Sequence, residues 1–286
     1  MSASTDTAPV IPAMRGLLYV AAFLVFLAGL VLFVFPLRTA EWFAWTVNPP
    51  MTAVFLGAAY WASAGLEVTG ARSARWDSAR LAVWPVFVFT SLTLGITLLH
   101  LDRFHLSPGS GPLAQFAAWA WLAIYAVVPV AMVVISRVQV RSRPAIRNTP
   151  TAERRPVLPA GLRWLLGGIA AVLVLYGVAL LAVPLFAAVW WPWQLSELTA
   201  RAVGAWLIGL GWAAGQGQLS GDLRSVRPVA LTSVAFVILQ AIALMRYGDA
   251  LTWTSGPSIG FVTVLLAIGL AGGWALAISR PPGIRR

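Results

Sequence analysis

The chain has 286 residues, of which 59% are hydrophobic and 10% charged, and its mean hydropathy is +0.82. Such values exclude an ordinary water-soluble domain and point to a membrane protein. All 20 basic residues are arginines and the net charge is +11, while the lack of cysteine excludes disulfides, thiolate metal sites and cysteine nucleophiles.

A bilayer crossing takes about 20 mainly apolar residues. Eight stretches qualify, at 14–35, 51–68, 80–100, 113–136, 162–183, 198–215, 228–246 and 258–279. The expected fold is an all-α integral membrane protein with eight transmembrane helices.

Span 1 opens at Arg15 and is followed by Pro36, Trp42 and Trp45. In span 2, Tyr60, Ser63 and Glu67 share one helical face, and Glu67 is expected to pair with Arg15 or Arg72 near the inner end. Span 3 carries Thr90, Thr93, Thr97 and His100 at spacings of three, four and three, which again makes one face. The stretch "HLDRFH" at 100–105 then holds both histidines, with Asp102 and Arg103 between them. Its spacing is not the four-residue interval that sets two imidazoles on one face, so no metal site is assigned.

After span 4 comes "VQVRSRPAIRNTPTAERRPVLPAG" at 138–161, rich in arginine and proline and expected to be a cytoplasmic tether. Span 5 leads into "WWPWQLSELTAR" at 190–201. Ser196 there suits a helix N-cap, Glu197 the first turn, and Arg201 a pair with Glu197 four residues on. Trp42, Trp45, Trp190, Trp191, Trp193 and Trp253 fall on outer loops, where indole rings form an interfacial belt. Span 7 answers span 3 with Gln240, Tyr247 and, beyond it, Asp249. Gly211 with Gly215 in span 6, and Gly269 with Gly273 in span 8, make GxxxG pairs suited to close packing within the chain or in a homo- or hetero-oligomer.

The chain is written twice. At an offset of 148, Arg15 meets Arg163, Gly29 meets Gly177, Pro36 meets Pro184, Trp42 meets Trp190 and Trp45 meets Trp193. At 147, Thr52 meets Thr199, Gly57 meets Gly204, Arg80 meets Arg227 and Asp102 meets Asp249. Running coincidence of prolines, tryptophans and charges is the mark of a duplication. The expected domains are a first four-helix repeat at 1–137, the linker at 138–161 and a second repeat at 162–286. An even helix number gives both repeats one orientation and a pseudo-two-fold axis along the membrane normal. Because span 1 recurs in mid-chain, it reads as a retained helix and not as a signal peptide.

With eight spans, sixteen arginines and five acids fall on the side of the termini, against four and four on the other. The whole positive excess therefore lies on one face, which predicts cytoplasmic termini in a bacterial-type cytoplasmic membrane and removes the need for a nucleic-acid partner.

No Walker loop, strand-to-helix GxGxxG or GxSxG elbow is present, and no motif identifies a cofactor. The preferred function is non-enzymatic: binding or transport of a small apolar or amphiphilic compound from the bilayer at an outward-facing site between the repeats. Its candidate ligand-binding residues are Thr93, Thr97, His100, Asp102, Glu197, Arg201, Gln240, Tyr247 and Asp249. One alternative is a non-catalytic scaffold or accessory subunit of a membrane complex. The other is an enzyme at the outer interface, with His100 or His105 as base and Asp102, Glu41 or Glu197 beside it.

Overall fold

The structure is a computed structural model that describes residues 8–142 and 157–279. Among these residues there are helices and turns but no β-strand. Eight long helices run in chain order: α1 (Pro12–Gly29), α2 (Pro50–Arg72), α3 (Trp76–Leu99), α4 (Pro112–Arg141), α5 (Ala160–Ala182), α6 (Glu197–Ser220), α7 (Leu223–Tyr247) and α8 (Gly256–Ile278). All of them except α6 are long and apolar enough to cross a bilayer, so the chain is an all-α membrane protein with multiple membrane-spanning helices. Helix α6 has 24 residues, about 36 Å at 1.5 Å per residue. Its glycines, Gln216, Gln218, Glu197 and Arg201 dilute the apolar character that marks the other seven.

That dilution follows from position. Helices α2 and α6 lie at the centre, α2 against α1 and α7, and α6 against α5 and α3. Helix α2 is the least apolar of the seven yet the most enclosed, and α1 is the most apolar and among the most exposed. Lipid tails reward an apolar exterior, whereas a central helix gains by bringing backbones together over small residues. A Cβ on Gly177 would stand 2.7 Å from the Gly204 carbonyl oxygen, and one on Gly204 the same distance from that of Gly177. The α5–α6 contact is possible only because both are glycine.

The expected GxxxG faces are used unevenly. Gly211 packs on Ala170 and Val174 of α5, and Gly269 on Val237 of α7. A Cβ added to Gly273 would meet nothing within 4 Å, while one on its neighbour Gly272 would stand 3.0 Å from the Ala230 carbonyl oxygen.

Chain segments next to α1 and α5 are clamped to the ends of other helices by backbone contacts. Val10 N–H donates to Ala74 O, and Leu158 N–H to Gly221 O. The last turn of α4 extends into the predicted linker, where buried Gln139 accepts from Ile11 N–H and donates to Pro9 O. Residues 143–156 of the linker lie outside the described residues.

The N-cap expected at Ser196 is formed, its hydroxyl oxygen accepting from Thr199 N–H at 3.2 Å. At the start of α2 the cap position is held by Pro49, with no side-chain bond.

Candidate functional site

A cavity of about 540 Å³ lies inside the helix bundle, with walls contributed by all eight long helices. Most lining side chains are aliphatic or aromatic. Polar groups enter from four helices: Tyr60, Ser63 and Glu67 from α2, Thr90 from α3, Tyr125 from α4, and Thr232 and Ser233 from α7. Several are already bonded. Tyr60 and Tyr125 join their hydroxyls at 2.8 Å, Ser63 donates to Tyr60 O, and Thr90 donates to Val86 O. Two are not: Thr232 Oγ1 is buried without a hydrogen-bond partner, and so is Oε2 of Glu67, a residue only 2% exposed.

The expected ion pair of Glu67 is not formed. Arg15 instead donates to the carbonyls of Val10 and Ser73, tying the start of α1 to the end of α2. Arg72 is exposed, and among the described residues no ion pair to Glu67 occurs. The reason is rotational: a helix residue one turn below the membrane surface faces the bundle or the rim according to its angle, and Glu67 faces inward.

Aromatic side chains close one end of the cavity. Trp206 lies over Phe89 with centroids 4.0 Å apart and meets Tyr60 edge-on at 4.7 Å. Above it, Trp45 packs with Phe43, Phe104 and Trp121, and a second group joins Trp191, Trp193, Phe55 and Phe261. Trp45, Trp191 and Trp193 are thus buried plugs, Trp42 is half-buried, and only Trp190 and Trp253 of the six, 64% and 52% exposed, have the exposure that an interfacial belt requires. Elsewhere the lining reaches the lipid-facing surface, at Leu27 of α1 and at Leu113 and Phe116 of α4, which are all exposed.

Comparison of the chain with family models, curated proteins and solved structures returns no match to any of them. The site is therefore interpreted from its own geometry.

The nine side chains singled out in the sequence do not form one group. His100, Glu197 and Arg201 meet where the C-terminal end of α3 lies beside the N-terminal end of α6. Arg201 Nη1 donates to the Glu197 carboxylate and to His100 Nε2, the latter at 2.7 Å, and its Nε donates to Leu181 O. Since Arg201 has only protons to offer, His100 Nε2 accepts, and the imidazole is neutral with its proton on Nδ1. Desolvation, followed by the Arg201 charge, lowers the His100 pKa from its ordinary value.

Thr97 donates to Thr93 O and accepts from Trp121 Nε1–H, so this stripe binds to its own helix and to α4. Gln240 donates across to Phe55 O on α2. Tyr247 lies beneath the Arg246 guanidinium, Asp249 is exposed, and Asp102 pairs with Arg103 in solvent.

Of the residues considered for catalysis, Glu41 pairs with exposed Arg38, and His105 bonds Thr46 and Phe43 O. They have separate partners from the His100 group. Sequence reasoning grouped Tyr60, Ser63 and Glu67 correctly on one face but missed their cavity. The available signal was a carboxyl within a helix too rich in small residues to be facing lipid.

Proposed function

We propose that the chain is an eight-span protein of a bacterial-type cytoplasmic membrane with both termini cytoplasmic. In this reading, four-helix units at 1–137 and 162–286 are related by a pseudo-two-fold axis along the membrane normal, and 138–161 joins them. Support comes from local conformations that recur in the register of the sequence match. Pro9 bridges to Arg75 as Val157 does to Asp222. Phe35 and Val183 end their helices with φ/ψ of −119/49° and −132/61°, and His100 and Tyr247 with −128/30° and −139/24°. Gly29 faces Trp61 as Gly177 faces Ile208, both pairs being equivalent under the offset. The packing is reciprocal too, since α2 of one unit lies on α7 of the other while α6 lies on α3. Helix α6 then crosses as the counterpart of α2, shielded from lipid by its neighbours.

Within that frame the chain binds or transports a small apolar or amphiphilic compound drawn from the bilayer. The observation that carries this reading is the cavity. Its 540 Å³ falls in the usual small-molecule range of about 300–1,000 Å³, and its lining combines apolar walls with few polar groups. The exposed lining at Leu27, Leu113 and Phe116 favours entry from the lipid between α1 and α4 over the outward-facing mouth expected from sequence.

The test is native mass spectrometry of gently purified full-length protein, wild type and Ala120→Trp, a substitution that puts bulk into the cavity wall. A bound apolar compound in the wild type and its loss in the variant are expected. A wild-type spectrum free of small molecules but holding a stoichiometric protein partner overturns the reading in favour of a scaffold.

A further inference from the structure

The cavity has an asymmetric chemistry that selects among amphiphiles. Its one carboxyl, Glu67, is buried with an oxygen left unpartnered, and among the described lining residues there is no arginine. Burying a carboxylate away from water is costly unless a counter-charge or hydrogen-bond donor meets it. No neighbouring hydroxyl is bonded to Glu67 Oε2: Ser63 and Thr90 donate to their own helix carbonyls, Tyr60 and Tyr125 share one bond that leaves one phenolic proton over, and Thr232 Oγ1 is buried without a partner. The site thus holds a carboxyl oxygen with no donor upon it and no cationic side chain in the described lining, surrounded by apolar walls sized for a hydrocarbon body.

Resting on the binding function proposed above, we infer that the ligand is a lipophilic amine whose cationic head docks on the Glu67 carboxyl. The same lining disfavours anionic amphiphiles, because a phosphate or carboxylate head finds a carboxyl and no arginine among the described lining residues. The rings of Tyr60, Tyr125, Phe89 and Trp206 line the same cavity, Tyr60 standing about two helical turns from Glu67, and they suit the apolar body of such an amine. Helix α6 has Ala214 at the position corresponding to Glu67, so one cationic head is accommodated per chain.

The experiment is equilibrium binding of radiolabelled decylamine, decanol and decanoate to the full-length chain in lipid nanodiscs, with protein-free nanodiscs subtracted. Saturable decylamine binding stronger than that of decanol, and decanoate weakest, is expected of the wild type. Glu67→Gln should weaken decylamine about tenfold or more, the loss of one charge-assisted contact, and leave decanol unchanged. Equal binding of all three ligands, indifferent to Glu67→Gln, overturns the amine inference and leaves the cavity function standing. Absence of saturable binding by any of the three overturns both. If Glu67→Gln abolishes decanol binding as well, Glu67→Asp decides: a retained preference for decylamine over decanol supports the inference, and its loss overturns it.

Discussion

Trp193 donates its indole N–H to Thr52 Oγ1 at 2.9 Å, a buried bond between residues 141 positions apart. The corresponding nitrogen in the first half, Trp45 Nε1, is buried without a partner, and the corresponding hydroxyl, Thr199, donates to Ser196 O on its own helix. Two tryptophan sites matched in sequence register therefore differ in one hydrogen bond. Thr52→Val keeps the shape and orphans the Trp193 N–H, so it should destabilise by about 1–3 kcal/mol. Thr199→Val, which leaves Trp45 as it already is, should cost less. Thermal unfolding of the two variants in one detergent checks the difference, and equal costs would remove the energetic role assigned to the Trp193 bond.

The Arg201–His100 contact sets a pH dependence. The folded-state pKa of His100 lies below the ordinary 6.5 of a free imidazole, chiefly through desolvation and then through Arg201. The unfolded chain therefore takes up its proton first. This contribution to stability is complete above about pH 6.5 and is lost as pH falls through the folded value. Melting temperature should drop between pH 7.5 and 5, and His100→Gln should flatten that slope. Parallel slopes for the variant and wild type would show that another group carries the effect.

Glycine positions separate packing inside the chain from packing between chains. Gly177→Ala forces a methyl to within 2.7 Å of the Gly204 carbonyl and should destabilise by about 1–3 kcal/mol. Gly273→Ala meets open space and should leave unfolding unchanged. If Gly273→Ala instead alters the oligomeric mass seen in light scattering, that face is an interface between copies.

The natural lack of cysteine makes topology directly measurable. Ser107, Ser142 and Thr254 are exposed at helix ends. Under the eight-span reading, an impermeant thiol reagent applied to intact cells should label Ser107→Cys and Thr254→Cys but not Ser142→Cys. Labelling of Ser107→Cys without Thr254→Cys places an odd number of crossings between them and overturns that reading.

The membrane class and the eight helical segments were legible in the sequence because both are local properties. A run of about 20 apolar residues must satisfy its own backbone in hydrocarbon, and it does so as a helix wherever it lies. The N-cap at Ser196 and the Glu197/Arg201 pair were legible for the same reason, since each depends on neighbours within one turn. Tertiary structure alone decided which face of each helix meets lipid and which meets protein. In a soluble protein polarity marks the outside, but lipid tails are as apolar as a core, so the pattern that would sort Trp45 from Trp190, or Glu67 from the rim arginines, is largely erased. Rotation of α2 against α1 and α7 sends Glu67 into the cavity, and the chain segment after α1 folds Trp45 inward onto Trp121. Neither angle is written in any one segment, because each is set by contacts between segments far apart in the chain.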